Sequence, residues 1–326
     1  MRFGITLSNR GILLGLTTVQ KLLALADAVE ACPLMDSLWA GDALFANQRL
    51  DAFTLLAALA GRTSRVLLGP ACMGSFALRD PRVFAAEWAS LDVLSDGRTR
   101  LSVCAGGGGD AWIRESDAMG IPPGQRRKRM IENIAVLRHL WTTDDAPFEG
   151  EFIRFKGVTL LPKPVQSPCP IWLTTNAGRL GNDQSDAGGS DFALRRTGRI
   201  ADGWMTHSVS PAGFRRSLDV ILRAREEAGR DMDGFDNILC HHVNIADDSD
   251  AALADAKRYL DGYYNANYTP ERLRAWGVYG PPEHCITQLR GFIGSGCRRI
   301  TLRLATTGDA MEQFRQLTEE VLPHLV

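Results

Sequence analysis

Residues 66–109, VLLGPACMGSFALRDPRVFAAEWASLDVLSDGRTRLSVCAGGGG, constrain the fold more than any other stretch. Val66 to Cys72 is a short apolar run. Pro81 to Leu94 then carries Val83, Phe84, Trp88, Leu91 and Leu94 at helical spacing. Pro81 suits a first helical turn, where its missing N–H costs nothing, and Asp96-Gly97 supplies turn chemistry. Leu101, Val103 and Ala105 alternate into a second strand, which runs into Gly106 to Gly109. Strand, helix, strand implies a parallel pair with a right-handed crossover. Both strands then deliver their carboxyl ends to one face, bringing Ala71-Cys72 beside Gly106 to Gly109, and α/β folds build sites on that edge.

The same alternation recurs along the chain. Strands are expected at Phe3–Leu7, Ser37–Gly41, Ile171–Thr174, Gly203–His207, Asn237–Ile245 and Arg299–Leu304. Helices are expected over Leu16–Glu30 with Thr17 or Thr18 as cap, Asp51–Arg62, Gln125–Trp141, Asp191–Ile200, Pro211–Gly229, Ser249–Asn265, from Pro282, and Asp309–Leu325. Residues 110–124 read as irregular, and Phe148–Leu161 as an inserted hairpin. About eight strand-then-helix units without a domain boundary predict one (β/α)8 TIM barrel over residues 1–326. Insertion segments are expected near 107–124, 143–168 and 176–190. A doubly wound sheet fits less well, because the glycines follow the fourth strand and GGGGD is not G-x-G-x-x-G.

Composition narrows the partners. A net charge of −1 in 326 residues leaves no nucleic-acid or anionic-membrane footprint. The seven cysteines are scattered without a C-x-x-C pair, so reduced thiols and no zinc are expected. No apolar run reaches spanning length, and MRFGITLSN begins directly with a strand, which leads us to expect a cytoplasmic protein.

Several pieces, in this order, carry a resemblance: MRFGITLSN, DSLWAGD, DAFTLLAALAGRTSRVLLGP, RDPRVFAAEWASLDVLSDGRTRLSVCAGGG, GIPPGQRRKRMIENIAVLRHLW, FEGEFIRF, LPKPVQSPCPIWLTT, ALRRTGRIADGW and GPPEHCITQLRGFIGSGCRRITLRL. The series resembles the bacterial luciferase-like monooxygenases, which use reduced FMN or the deazaflavin F420. The resemblance implies the barrel, an oxidoreductase acting on a small organic substrate, and a homodimer.

It also implies site residues. Asp42 ends the second strand, at the mouth where the family's cofactor ring lies; an Asp there also simply starts a turn. Many deazaflavin-using relatives carry Asp-His at this point, whereas this chain has Asp42-Ala43, which removes the best acid/base candidate. Ala71-Cys72 falls where that branch places a non-prolyl cis peptide beneath the ring; otherwise it is an ordinary strand end. Gly106, Gly107 and Gly108 would let a flat ring approach the backbone, or form only a flexible turn. Asp110 could stand in for an acid that relatives carry just beyond. Thr174, Thr175, Asn176, Ala177 and Gly178 precede a helix and suit a phosphate, with Arg179, Arg195 or Arg196 adding charge. By resemblance this loop and the next one, at His207 and Ser208, hold the ribityl-phosphate arm.

Asp42 and His207 are the catalytic candidates, and Asn9 and Arg10 follow the first strand as substrate-binding candidates, a plain loop being the alternative. His241 and His242 should face opposite sides of their strand. Arg126 to Arg129 reads as a solvated basic face pairing with acids such as Glu132. The expected activity is F420- or FMN-dependent reduction or monooxygenation. Its rivals are a flavin-binding barrel without turnover and a metal-dependent hydrolase, and the six histidines do not fall as the latter requires.

Overall fold

A computed structural model of the protein describes residues 1–176 and 187–326, the side chains of the second part from residue 191. The strands in chain order are β1 (Arg2–Leu7), β2 (Met35–Ala40), β3 (Leu67–Pro70), β4 (Leu101–Val103), β5 (Ala146–Glu149), β6 (Arg154–Val158), β7 (Ile171–Thr174), β8 (Gly203–Thr206), β9 (Asp236–Ile245), β10 (Gly277–Gly280) and β11 (Arg299–Leu304). Among the described residues, eight of them run β3-β2-β1-β11-β9-β8-β7-β4, every neighbouring pair parallel. Parallel bridges Leu68↔Thr99 and Met73↔Val103 join the two ends and close the barrel. β5 and β6 form the separate antiparallel hairpin, and β10 pairs with the last residues of β9, beyond the reach of β8.

The helices are α1 (Val19–Ala31), α2 (Ala52–Ala60), α3 (Pro81–Leu94), α4 (Asp110–Ala118), α5 (Arg126–Thr142), α6 (Ala187–Ile200), α7 (Pro211–Glu227), α8 (Ser249–Tyr264), α9 (Pro270–Arg274), α10 (Pro282–Gly294) and α11 (Ala310–Gln316). Their starts follow local chemistry. Thr18, Asp51, Asp80, Ser210, Asp248 and Asp309 each accept a backbone N–H of the first turn, and prolines fill the opening positions of α3, α7 and α10. Of the two cap candidates for α1, Thr18 is the one used. None of the described helices is long and apolar enough to cross a membrane.

Two expectations change. Residues 110–118 are helical rather than irregular, because the buried face of α4 is polar: Glu115 and Ser116 point inward, so no apolar period marks it. The C-terminal helix ends at Gln316 and continues as a π turn over Leu317–Val321 and a 3-10 turn over Leu322–His324.

The barrel floor is filled by two indoles. Trp39 and Trp172 are almost wholly buried, with ring centroids 5.8 Å apart. They fit because glycines face them. A Cβ on Gly69 would meet Trp39 at 2.6 Å, and one on Gly203 would meet Trp172 at 2.5 Å. Large and small residues on paired neighbouring strands thus interdigitate, and above the filled floor, at the carboxyl ends, space opens. We expect Gly203→Val to destabilise the fold by about 1–3 kcal/mol or more through overpacking. Gly262→Ala, where nothing lies within 4 Å, should be neutral or stabilising. Urea unfolding of the two variants checks both.

Candidate active site

At the carboxyl ends of the strands a cavity of about 890 Å3 opens. Alternation decides what lines it. On β9, Ile238 and Cys240 pack with the indoles inside the barrel, and His242 continues that inward series. His241 instead sets its ring edge-on to Phe292 of α10, at 5.3 Å. The opposite-faces reading of the two histidines therefore describes their strand.

The loops above the floor are gathered by one buried ion pair. Glu115 has no exposed surface. Its Oε1 accepts the backbone N–H groups of Leu44 (2.8 Å), Phe45 (2.9 Å) and Ala46 (3.3 Å). Its Oε2 meets Arg126 Nη2 at 3.1 Å. Arg126 also donates to Gly74 O (2.8 Å), Ser116 Oγ (3.2 Å) and Trp112 O (3.3 Å), and lies 5.2 Å from the Trp112 ring centre. Arg126 is thus not part of a solvated face. Among the described residues Glu132 pairs with no arginine either: it accepts the N–H groups of Glu151, Phe152 and Ile153 at the turn between β5 and β6.

This pair changes the meaning of the glycines. A Cβ on Gly106 would meet Arg126 Nη2 at 2.5 Å, and one on Gly107 would meet Trp112 Nε1 at 2.5 Å. Their missing side chains make room first for protein groups. Gly108 and Gly109 have nothing within 4 Å of that position, and φ of 89° at Gly106 and 90° at Gly109 favours glycine. Asp110 is exposed on the rim, in the first turn of α4.

Asp42 is buried at the end of β2. Its Oδ2 accepts Ser75 N–H at 2.7 Å, its Oδ1 has no hydrogen-bond partner among the described residues, and Arg79 Nη2 lies 3.6 Å from it. Burial pushes this carboxyl above the usual range, with Arg79 and the Ser75 N–H opposing. Its clearest contact anchors the loop after β3. In that loop the Ala71–Cys72 peptide is cis. Cys72 Sγ lies 2.8 Å from Cys104 Sγ. The hydrogen-bond contact with Cys104, helped by Thr174, lowers the Cys72 thiol below its usual range, while the same contact and burial raise Cys104 well above it.

On the next two strands, Thr174 Oγ1 bonds Ser102 Oγ at 2.9 Å and Thr175 Oγ1 bonds Thr197 Oγ1 at 3.0 Å. Asn176 Nδ2 donates to His207 Nε2 (2.8 Å), which leaves the ring proton on Nδ1 against Ser208 Oγ (2.8 Å). Burial, and then the Arg272 guanidinium, lower His207 to about 4, so the ring is neutral at pH 7. Ala177, Gly178 and Arg179 lie outside the described residues. Arg196 lines the cavity beside Arg127, and its Nε is buried without a partner among the described residues. Arg195 is turned away onto Glu227, at 3.5 Å.

The first-strand loop divides its work. Asn9 is fully buried and donates to Gly41 O (2.8 Å) and Leu50 O (2.9 Å); it ties loops together beneath the lining rather than forming it. Arg10 does line the cavity. Opposite the cysteines stand Arg49, Arg303, Tyr264, Trp276 and His242, none of them singled out as a ligand contact by the sequence reading. One signal was there: RITLRL sets arginines in a parallel strand buried on both faces, where apolar residues are the rule. Among the described residues no group of three or more His, Cys, Asp or Glu side chains could hold a metal.

Two outcomes test this geometry. Arg126→Met should cost about 3–5 kcal/mol, because it leaves Glu115 buried without its counter-charge; denaturant unfolding measures it. Iodoacetamide alkylation followed by peptide mapping should modify Cys72 before Cys104. The pH midpoint for Cys72 should rise in Cys104→Ala, which removes the hydrogen-bonding group that stabilises the thiolate.

The comparisons with known proteins agree with this architecture. The family model for luciferase-like monooxygenases matches residues 1–322. An F420-dependent glucose-6-phosphate dehydrogenase of Nakamurella multipartita is 26% identical over 297 residues, 83% of this chain and 80% of the relative. A solved F420-dependent secondary alcohol dehydrogenase superposes with a TM-score of 0.82 at 17% identity, over 100% of this chain and 99% of the other. An FMN-complexed Baeyer-Villiger monooxygenase component of Pseudomonas putida gives 0.72 at 17% identity, over 99% and 98%. An eight-stranded barrel with one deep mouth and a family match over nearly its whole length lead to one conclusion: this chain belongs to the luciferase-like monooxygenases, oxidoreductases that use F420 or FMN.

Proposed function

We propose that the chain is an F420-dependent oxidoreductase that moves a hydride between the cofactor and a small organic molecule. The observation that carries this reading is the cavity itself. Its volume of about 890 Å3 sits at the upper end of the roughly 300–1,000 Å3 usual for ligand pockets, which leaves room for a substrate beside a cofactor ring. The residues fit such a cofactor. Ala71, Cys72, Cys104 and Thr174 make a low floor for a flat ring. Thr175, Asn176, Arg127 and Arg196, the last with a buried Nε that has no partner among the described residues, suit its phosphate. The F420-dependent relative supports the deazaflavin over FMN.

When bound, F420 supplies the hydride chemistry. The chain's own groups bind, orient and exclude water. Asn176 fixes the neutral His207 ring, which closes one side of the mouth with Trp276, 5.5 Å away. His242 has no partner on either nitrogen among the described residues, and burial, then Arg303, His241 and His207, keep it well below its usual range. It is the group we assign to the substrate proton, in the place of the histidine missing after Asp42. Asp42 supports the loop that carries Cys72.

Titration of the purified protein with F420, FMN and reduced FMN, read by fluorescence quenching, should show F420 binding below about 0.1 mM, roughly −5.5 kcal/mol. Arg196→Met should weaken it. Turnover should persist without oxygen. Binding of none of the three would overturn the reading, and strict oxygen dependence with FMN would move it to a monooxygenase.

A further inference from the structure

The charges lining the cavity are one-sided. Among the described residues its walls carry Arg10, Arg49, Arg127, Arg196, Arg272 and Arg303, but only Asp42 and Asp110 as acids. Asp42 is taken up by Ser75 and Arg79, and Asp110 stands on the outer rim. The arginines fall into two groups on opposite sides. Arg127 and Arg196 sit near the β7 loop and feel each other's charge. Arg10 and Arg49 sense one another across the loops after β1 and β2, with Arg303 on β11 beside them.

The second group is the less expected one. Arg303 is 3% exposed, donates to the Tyr264 hydroxyl, and lies 4.5 Å from the Tyr263 ring centre, yet its Nε has no partner among the described residues. Arg49 lies 5.8 Å from the same ring and donates to Asn47 O at 2.8 Å. Arg10 donates to Gln48 O at 2.8 Å, and its Nε is also buried without a partner among the described residues. Among the described residues, none of the three has a carboxylate within 4.0 Å. By contrast Arg299, two positions before the inward Thr301 on the same strand, is held by Asp36 and Asp236. A cation withdrawn from water is costly unless an anion meets it. Among the described residues the protein provides none for the buried Arg303 or for the half-buried Arg10 and Arg49 beside it, which points to a counter-charge on what enters the cavity.

Register places that charge close to the proposed chemistry. Arg303 and His242 are direct partners across the β11–β9 pairing, so their side chains leave neighbouring strands about 4.8 Å apart toward the same face. Trp276 closes the lobe, its ring 4.5 Å from His242 and 5.1 Å from Tyr264. We propose that Arg10, Arg49 and Arg303 bind the anionic head of the substrate, making it a small organic anion, carboxylate or phosphate ester, whose reacting carbon lies within a few bonds of its charge. This deepens the oxidoreductase reading and rests on it for the word substrate. The anion site itself can be tested without turnover.

The probes are mandelate and its neutral isostere mandelamide, with phenyl phosphate and phenol as a second pair. Each is titrated into the F420-loaded protein and followed by tryptophan fluorescence. We expect one or both anions to bind at least about tenfold tighter than the neutral partner, a gap of 1.4 kcal/mol or more. Which anion leads separates the carboxylate from the phosphate ester. Arg303→Met and the less buried Arg49→Met should each remove that preference and leave neutral binding unchanged. Arg303→Lys, which keeps the charge and guards against misfolding, should restore part of it. F420 affinity, read by the cofactor's own fluorescence, should change less than about twofold. Equal binding of anion and neutral isostere overturns the proposal. So does an equal loss of F420 affinity in Arg303→Met, which would assign the lobe to the cofactor's tail. Anion preference in a protein that binds no F420 would leave the anion site standing and overturn the cofactor reading instead.

Discussion

The mouth of this barrel depends on the buried contact between Glu115 and Arg126. A parallel barrel fixes where its strands end, but the loops that follow have no ladder of their own to set their positions. Here one carboxylate takes three N–H groups from the loop after β2, and its guanidinium partner takes the Gly74 carbonyl from the loop after β3. Both side chains come from the segment after β4. Three successive loops are tied by charge-assisted hydrogen bonds, each stronger than a neutral one. The satisfied lone pairs and protons offset the desolvation that makes an isolated buried pair expensive. Asp42 repeats the device on a smaller scale through the Ser75 N–H.

Below the loops, the floor is set by volume rather than charge. Trp39 and Trp172 fill the barrel because Gly69 and Gly203 stand opposite them. Their bulk forces the open space upward, where Cys72, Cys104, Thr174 and Cys240 meet it. The walls above then differ by side. One carries hydroxyls, an amide and the Arg127–Arg196 pair; the other carries aromatic rings and unpaired guanidiniums. A flat cofactor with a phosphate arm and a small anion in separate lobes would satisfy both sides.

Much of this was legible in the sequence wherever the signal is local. The Asp80–Pro81 start of α3 and the apolar spacing behind it need only neighbours along the chain. The positions of Asp42, Thr174 and His207 at strand ends follow from strand boundaries. The helix over 110–118 was not legible, because its buried face is polar and it owes its place to Arg126 rather than to an apolar stripe. Arg126 looks in the sequence like one of four basic residues on a helix surface, since nothing in RRKR distinguishes the arginine that turns inward.

By itself, then, the sequence determined the order of strands and helices, the parallel barrel they imply, and the family whose motifs run along it. These rest on periodicity, capping and turn chemistry, all of which act over a few residues. Only the tertiary structure decided what meets what across the mouth. Cys72 touches Cys104, Arg303 stands beside His242, and the room at Gly106 and Gly107 goes to Arg126 and Trp112. The reason is closure. Strands far apart in the chain become neighbours only when the barrel shuts, and the direction of each inward side chain is set by the register of that closure.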